Sequence, residues 1–366
     1  MIGGSEGKIA SCKFGKDFRP WSNPEEVACS LDRIRALPKV ELHLHLEGSL
    51  RPSLLRFLAH KNSVSLPPPG SGGEEILYSF EDFTGFLTSF RQVCRLLCRP
   101  EDLVCVAAAL FDELIAENIL YAEIFLSPVI YPTLGWSVMD AMPEIHAAAR
   151  EREKQSGLEC RFLFDSVRQW GRKAMEETVR LAEECRPWGV VGIGIGGDES
   201  STPASELADL FHWARKNGLH TTAHAGEIGG AGNVRETWEQ LQPERIGHGL
   251  GAVEDPRLLE ELKRSKTTLD LCLTSNRRTG AWKELTTHPI VVFYKNQVPF
   301  TINTDDPGIF ATSLSRELKQ AFELLSAQGM KVGQLIRQAV AASFLDEDQK
   351  TLLLNRLEGG LQGHPF

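Results

Sequence analysis

The 366-residue sequence predicts an α/β fold, a (β/α)8 barrel, on three observations. Short apolar or β-branched runs alternate with helical stretches, eight such runs can be placed, and polar residues suited to catalysis gather where those runs end. An open doubly wound sheet shares the alternation, so the clustering at the run ends decides between the two forms rather than the count.

Residues 1–30 are polar and glycine-containing and are expected to form a loosely packed arm ahead of one barrel domain over 31–366. The first strand is "VELHLH" at 40–45. An insertion at about 60–117 follows: a loop, "LPPPGSGGEE", then helical sequence from 80 to 117, where Phe83, Phe86, Leu87 and Phe90 recur at helical spacing. It reads as a helical cap over the barrel mouth, with most of that aromatic stripe packed as core and only a few side chains touching a ligand. The remaining strands are "YAEIFL" at 121–126, "CRFLFD" at 160–165, "VVGIGI" at 190–195, "HTTAHA" at 220–225, "RIGHGL" at 245–250, "TLDLCL" at 268–273 and "FTINTD" at 300–305. Their nearly continuous apolar character suits parallel strands buried on both faces. After 313 several extra helices are expected to close the chain.

A hydrophobic fraction of 42% and a charged fraction of 24% are those of a globular protein, and no apolar run is long enough to cross a bilayer. The net charge of -9, with no dense Lys/Arg block, opposes nucleic-acid binding and favours a small-molecule partner. The eight scattered cysteines include no CxxC pair, and the N-terminus has no cationic, apolar leader, so a reducing cytoplasm is expected.

The chemistry is concentrated at the strand ends. On a strand, residues i and i+2 share a side, so His43 and His45 project together. His224 and Glu227 end the fifth strand, His248 the sixth, and Asp305 and Asp306 the eighth. Three neutral imidazoles and a carboxylate, His43, His45, His224 and Asp305, form a nitrogen/oxygen set suited to one Zn²⁺ with room for a water. Glu227 is placed to act as general acid and His248 to orient the water and take its proton. Asp306 is expected to diverge from Asp305 as its strand neighbour and to bind substrate. "GIGIGGDES" at 192–200 matches no phosphate loop; its missing side chains let a flat ligand approach, with Gly197 N–H as donor, or simply make a tight turn. Arg168 and Trp170, after the third strand, can reach substrate or stay structural.

Together, "LPKVELHLHLEGSL", "VVGIGIGGDE", "TAHAGE", "RIGHG" and "NTDDPGIFATSL" resemble, in that order, the adenosine deaminase family, and bacterial nucleoside-deaminating members in particular. The resemblance covers about Leu37 to Phe344. It implies a metal-dependent hydrolase barrel that removes the 6-amino group of a purine. It makes His43, His45, His224 and Asp305 the zinc ligands, Glu227 the proton donor to purine N1, and His248 the partner of the attacking water. Asp306 becomes a partner of N7 and Gly197 a backbone donor to N3. Catalysis then falls to Glu227, His248 and Asp305, and substrate binding to Glu47, Gly197, Asp306 and Arg168.

The sequence departs from the family at Gly194, where many relatives carry an acidic residue, and at Glu47, where adenosine-type members often have Asp. A carboxylate at position 47 beside the ribose would repel a 5'-phosphate, so an adenine nucleoside is expected: adenosine, 2'-deoxyadenosine or a relative such as 6-aminodeoxyfutalosine. Free adenine and N6-methyl-AMP are the alternatives within the reaction. A catalytically silent nucleoside-binding protein is the alternative of another class.

Overall fold

A computed structural model describes residues 30–66 and 78–361, so most of the expected arm and of the "LPPPGSGGEE" loop lies outside the described residues. Eight strands are present: β1 Lys39–His45, β2 Ile119–Leu126, β3 Glu159–Val167, β4 Val190–Gly196, β5 His220–Ala225, β6 Arg245–His248, β7 Thr268–Leu271 and β8 Phe300–Ile302. They follow one another in chain order around the sheet, each parallel to the next. Helices join them on the outside, as parallel crossovers require.

The ring is nearly closed, and its last seam differs from the rest. Between β8 and β1, Leu42 N–H donates to Asn303 Oδ1 (2.9 Å) and Thr304 N–H donates to Glu41 Oε1 (3.0 Å). Backbone pairing there is confined to Asp305, whose N–H donates to His43 O (3.0 Å) and whose carbonyl accepts from His45 N–H (2.7 Å).

Three strands, expected at 245–250, 268–273 and 300–305, end short of those bounds. β8 ends at Ile302, because Asp305 takes a positive φ of 66° that an extended strand cannot hold. β7 ends at Leu271 and gives way to a short helix, Leu273–Arg278. β6 ends at His248, itself at φ 62°. Two chain segments that carry polar side chains therefore turn sharply at the barrel rim.

Among the described residues between β1 and β2 lie three α-helices, Pro52–Lys61, Phe83–Cys94 and Pro100–Ala116. The second begins where Asp82 accepts from Gly85 N–H (2.8 Å), and the third has Pro100 at its first turn. The chain closes with Leu314–Leu325, Val332–Ala342 and Glu347–Leu361.

Beneath the barrel mouth the core carries charge. Arg245 reaches Glu123 (2.7 Å) and Asp270 (3.0 Å), all three fully or almost fully buried, and Tyr121 donates to Glu123 (2.9 Å). Removing one partner of such a group leaves a buried charge uncompensated. Arg245→Ala is therefore expected to lower unfolding free energy by about 3–5 kcal/mol, read from the denaturant midpoint.

Candidate active site

Strand β1 delivers His43 and His45, β5 delivers His224, β6 delivers His248, and the turn after β8 delivers Asp305. All five are buried, and they meet in one place. His43 Nε2 and His45 Nε2 each lie 3.4 Å from Asp305 Oδ1, and the His43 and His224 ring centroids are 4.7 Å apart. The tightest grouping of potential ligand atoms, all within 4.8 Å of one another, takes His43, His224, His248 and Asp305. His45 sits at its edge.

Neighbours orient the imidazoles. His224 Nδ1 lies 3.0 Å from Ile195 O, a carbonyl that can only accept, so its proton sits on Nδ1 and Nε2 offers a lone pair. His43 lies between Asp270 (3.6 Å from Nδ1) and Asp305, and neither of its buried ring nitrogens makes a hydrogen bond. Burial opposes charge on that ring, but the two carboxylates outweigh it and carry His43 up to about 9. A cavity that raises an imidazole in this way favours positive charge, and a divalent cation fits both the donor set and the orphaned nitrogens.

Asp305 is held well below the usual carboxylate range: burial works against this, but the close approach of His43 and the other nearby imidazoles prevails. Ser275 also donates to its Oδ2 (2.6 Å). Burial pushes His45 down to about 3 and His248 to about 4, leaving both neutral.

Glu227 is buried and turned towards the same centre, its Oε2 3.5 Å from His248 Nε2 and its Oε1 accepting from Thr279 (3.3 Å). Burial, then the negative charges of Asp305 and Glu199, push its pKa well above the ordinary carboxyl value. That shift favours the protonated form, the state a proton donor needs. Asp306 points elsewhere: a Cβ added at Gly48 would fall 1.7 Å from Asp306 Oδ1, so only glycine there leaves room for this carboxyl. The two aspartates diverge as expected, but through the turn at Asp305 rather than through strand pleating. Burial and then the charge of Asp305 raise Asp306 as well.

These groups face a cavity of about 570 Å³ at the C-terminal mouth of the barrel, lined by His45, His224, Glu227, His248, Asp305, Asp306 and Gly197. Gly197 has φ 100°, and a Cβ there would meet Gln169 Oε1 at 2.4 Å. The helix Phe83–Cys94 forms the opposite wall, where Phe83, Phe86, Leu87 and Phe90 all line the cavity. More of that stripe faces the cavity than expected, although Phe83 and Phe86 also pack in the core.

Two expected substrate contacts stand behind the wall. Glu47 is fully buried, accepts from Ser127 N–H (2.8 Å) and Tyr131 OH (2.5 Å), and is not among the cavity residues. Burial raises its pKa, so the charge repulsion expected of it at the ribose has no exposed carboxylate to act through. Arg168 is also off the cavity, donating to His224 O (2.8 Å) and Thr202 O (3.3 Å); it braces the end of β5. Trp170, 43% exposed, does line the mouth.

Other residues of the site were not singled out by the motifs. Glu199 accepts from the N–H groups of Gly226, Glu227 and Ile228, fixing the turn that presents Glu227. Asp165 on β3 pairs in register with Gly194 and lines the cavity; a Cβ at Gly194 would fall 2.6 Å from its Oδ1. A carboxyl thus occupies that space from the neighbouring strand, and burial pushes it up to about 8. Ser275, Asn276 and Thr279, in or just after the helix Leu273–Arg278, complete the wall behind Asp305, His248 and Glu227. The polar run "LTSNRRTG" after a strand end was their only signal.

The adenosine deaminase family model matches residues 38–359. An aminodeoxyfutalosine deaminase from Streptomyces coelicolor is 34% identical over 327 residues, 89% of this chain and 84% of that protein. The crystal structure of an adenine deaminase from Arthrobacter aurescens superposes with TM-score 0.82 at 25% identity, covering 89% of this chain and all of the other. A zinc-bound amidohydrolase from Burkholderia ambifaria superposes with TM-score 0.79 at 25% identity, over 93% and 95% of the two chains. With eight parallel strands in barrel order and a buried histidine–aspartate cluster at the mouth, this chain belongs to the adenosine deaminase family, hydrolases that cleave a C–N bond of a cyclic amidine.

Proposed function

We propose that the protein hydrolytically removes the 6-amino group of an adenine nucleoside, giving the 6-oxopurine and ammonia. The observation that carries this reading is the buried Glu227 carboxyl, 3.5 Å from His248 beside the histidine–aspartate cluster, both opening on one cavity. One zinc ion per chain, held by His43, His45, His224 and Asp305, would supply a water whose pKa falls from about 16 towards about 7.

The side chains divide the remaining work. Glu227 gives its proton to purine N1, so that the ring accepts electrons as water adds at C6. His248 orients that water, Asp305, kept ionised, takes the water's proton and passes it to the departing amino group, and Glu227 recovers a proton from the C6 hydroxyl as the 6-oxo group forms. Asp306, protonated, donates to N7, and Gly197 N–H faces N3. The amino group then departs as ammonia, which balances the water consumed.

Two features support the nucleoside over the free base. The cavity is far larger than a purine ring, and its outer wall carries Arg91 and Arg95, four residues apart on one face of the cap helix. With Glu47 buried in the wall, these arginines set the charge at the mouth, which favours a nucleoside with an anionic group at the far end of the sugar. The same arginines support a second reading, a 5'-nucleotide such as N6-methyl-AMP.

An ultraviolet assay for loss of the 6-amino group across adenosine, 2'-deoxyadenosine, adenine, AMP, N6-methyl-AMP and 6-aminodeoxyfutalosine tests this. Nucleosides are expected to exceed adenine; turnover of none of them by zinc-loaded protein would sink the proposal. Replacing Arg91 and Arg95 by alanine is expected to raise KM about 10-fold for anionic members, the size of one charged contact, and to leave adenosine unchanged.

A further inference from the structure

We infer that His288 and Asn276 are positioning residues that fix the proton of His248 on Nε2, which makes His248 a hydrogen-bond donor to the reaction and not a metal ligand. Only the use of that donor rests on the deaminase reading; the tautomer itself does not.

The inference follows hydrogen bonds from a group whose role is fixed. Ile290 N–H lies 3.2 Å from His288 Nδ1, and a backbone N–H can only donate. His288 Nδ1 is therefore the acceptor. Burial pushes the pKa of His288 down to about 3, so the ring is neutral and its single proton sits on Nε2. That nitrogen lies 3.3 Å from Asn276 Oδ1, which fixes the amide with its oxygen towards His288 and its nitrogen towards His248. Asn276 Nδ2, a donor only, lies 3.0 Å from His248 Nδ1. His248 must accept there and carry its own proton on Nε2, 3.5 Å from Glu227 Oε2 and 4.0 Å from Asp305 Oδ2.

His288, Asn276 and His248 are at most 2% exposed, so solvent does not replace any link. The backbone of His248, at φ 62°, is itself held in a conformation a non-glycine residue rarely takes. His224 has the opposite arrangement, since a carbonyl faces its Nδ1 and frees its Nε2 lone pair. Two imidazoles of one site thus receive opposite tautomers from the main chain, one directly and one through two side chains. Distance alone groups His248 with the ligands; hydrogen bonding removes it and leaves that place to His45.

Nitrogen-15 NMR of histidine-labelled protein, metal-depleted and zinc-loaded, tests this, with the His248 signals assigned by their loss in His248→Gln. The expected spectrum has His248 Nδ1 unprotonated and Nε2 protonated in both states. Asn276→Asp, the same shape with acceptors only, is expected to move the proton to Nδ1 and to lower kcat about 10- to 100-fold with KM little changed. His288→Phe should mix the tautomers and lower kcat, whereas His288→Gln, which keeps an acceptor and a donor at similar spacing, should restore both. A wild-type His248 protonated on Nδ1, or one whose Nε2 signal shifts as a ligand when zinc binds, would overturn the inference. So would Asn276→Asp and His288→Phe proteins with unaltered His248 signals and kcat. The wild-type spectrum decides alone should the variants fail to fold, and it does so whether or not the deaminase assay succeeds.

Discussion

Glu227→Gln is expected to keep its zinc and its fold while losing about 10²- to 10⁴-fold in kcat, the range that one positioned acid contributes. The amide keeps the shape and can still hydrogen bond to N1, but it has no proton to give up. Burial and the charges of Asp305 and Glu199 raise the Glu227 pKa, so the active, protonated form holds to higher pH than an ordinary carboxyl and is lost as pH rises. The wild-type pH–rate profile should therefore fall on its alkaline side, and that limb should vanish in the glutamine variant. Metal analysis and circular dichroism establish that the site and fold survive. Unchanged turnover would show that N1 receives its proton elsewhere, and loss of zinc would show that Glu227 serves the metal. A silent nucleoside-binding protein predicts neither a rate nor a limb.

His224→Ala should act on the other half of the site. Its ring is oriented by Ile195 O and is buried beside His43 and His45. Metal content is expected to fall well below one per chain and turnover to drop below detection, because an unassisted water has a pKa near about 16 rather than about 7. Retention of zinc and turnover together would remove His224 from the ligand set. Burial holds the wild-type His224 pKa well below the ordinary value, so the ring is neutral and its lone pair free over the whole working range.

Much of this was legible in the sequence because barrel strands are buried on both faces and bear their polar residues at one end. The eight runs, and the meeting of His43, His45, His224, His248, Glu227 and Asp305, follow from that regularity. What escaped has physical reasons. Strand ends at His248 and Ile302 go with positive φ at His248 and Asp305, which leaves no mark in an apolar run. Glu47 reads as a ligand-facing carboxylate by its distance from His45, yet the chain leaves the strand at His45 and turns it into the wall. Glu199, Asn276 and His288 act through hydrogen bonds to residues 12 to 28 positions away, and such pairing has no local pattern. Asp165 compensates for Gly194 only because β3 and β4 are in register, a relation visible once the strands are paired.

The seam between β8 and β1 has a consequence for how the molecule opens. Asp305 carries the backbone pairing that fastens the ring there, and its carboxylate is the one facing the imidazoles. A seam whose main-chain pairing rests on one residue has a preferred breathing site, and any cation bound to the fastened form deepens its population by mass action. Amide exchange at His45 and Asp305 therefore gauges site occupancy from the main chain, slowing as the cation is added and quickening as it is withdrawn. In this barrel the clasp of the fold and the seat of the chemistry are one residue.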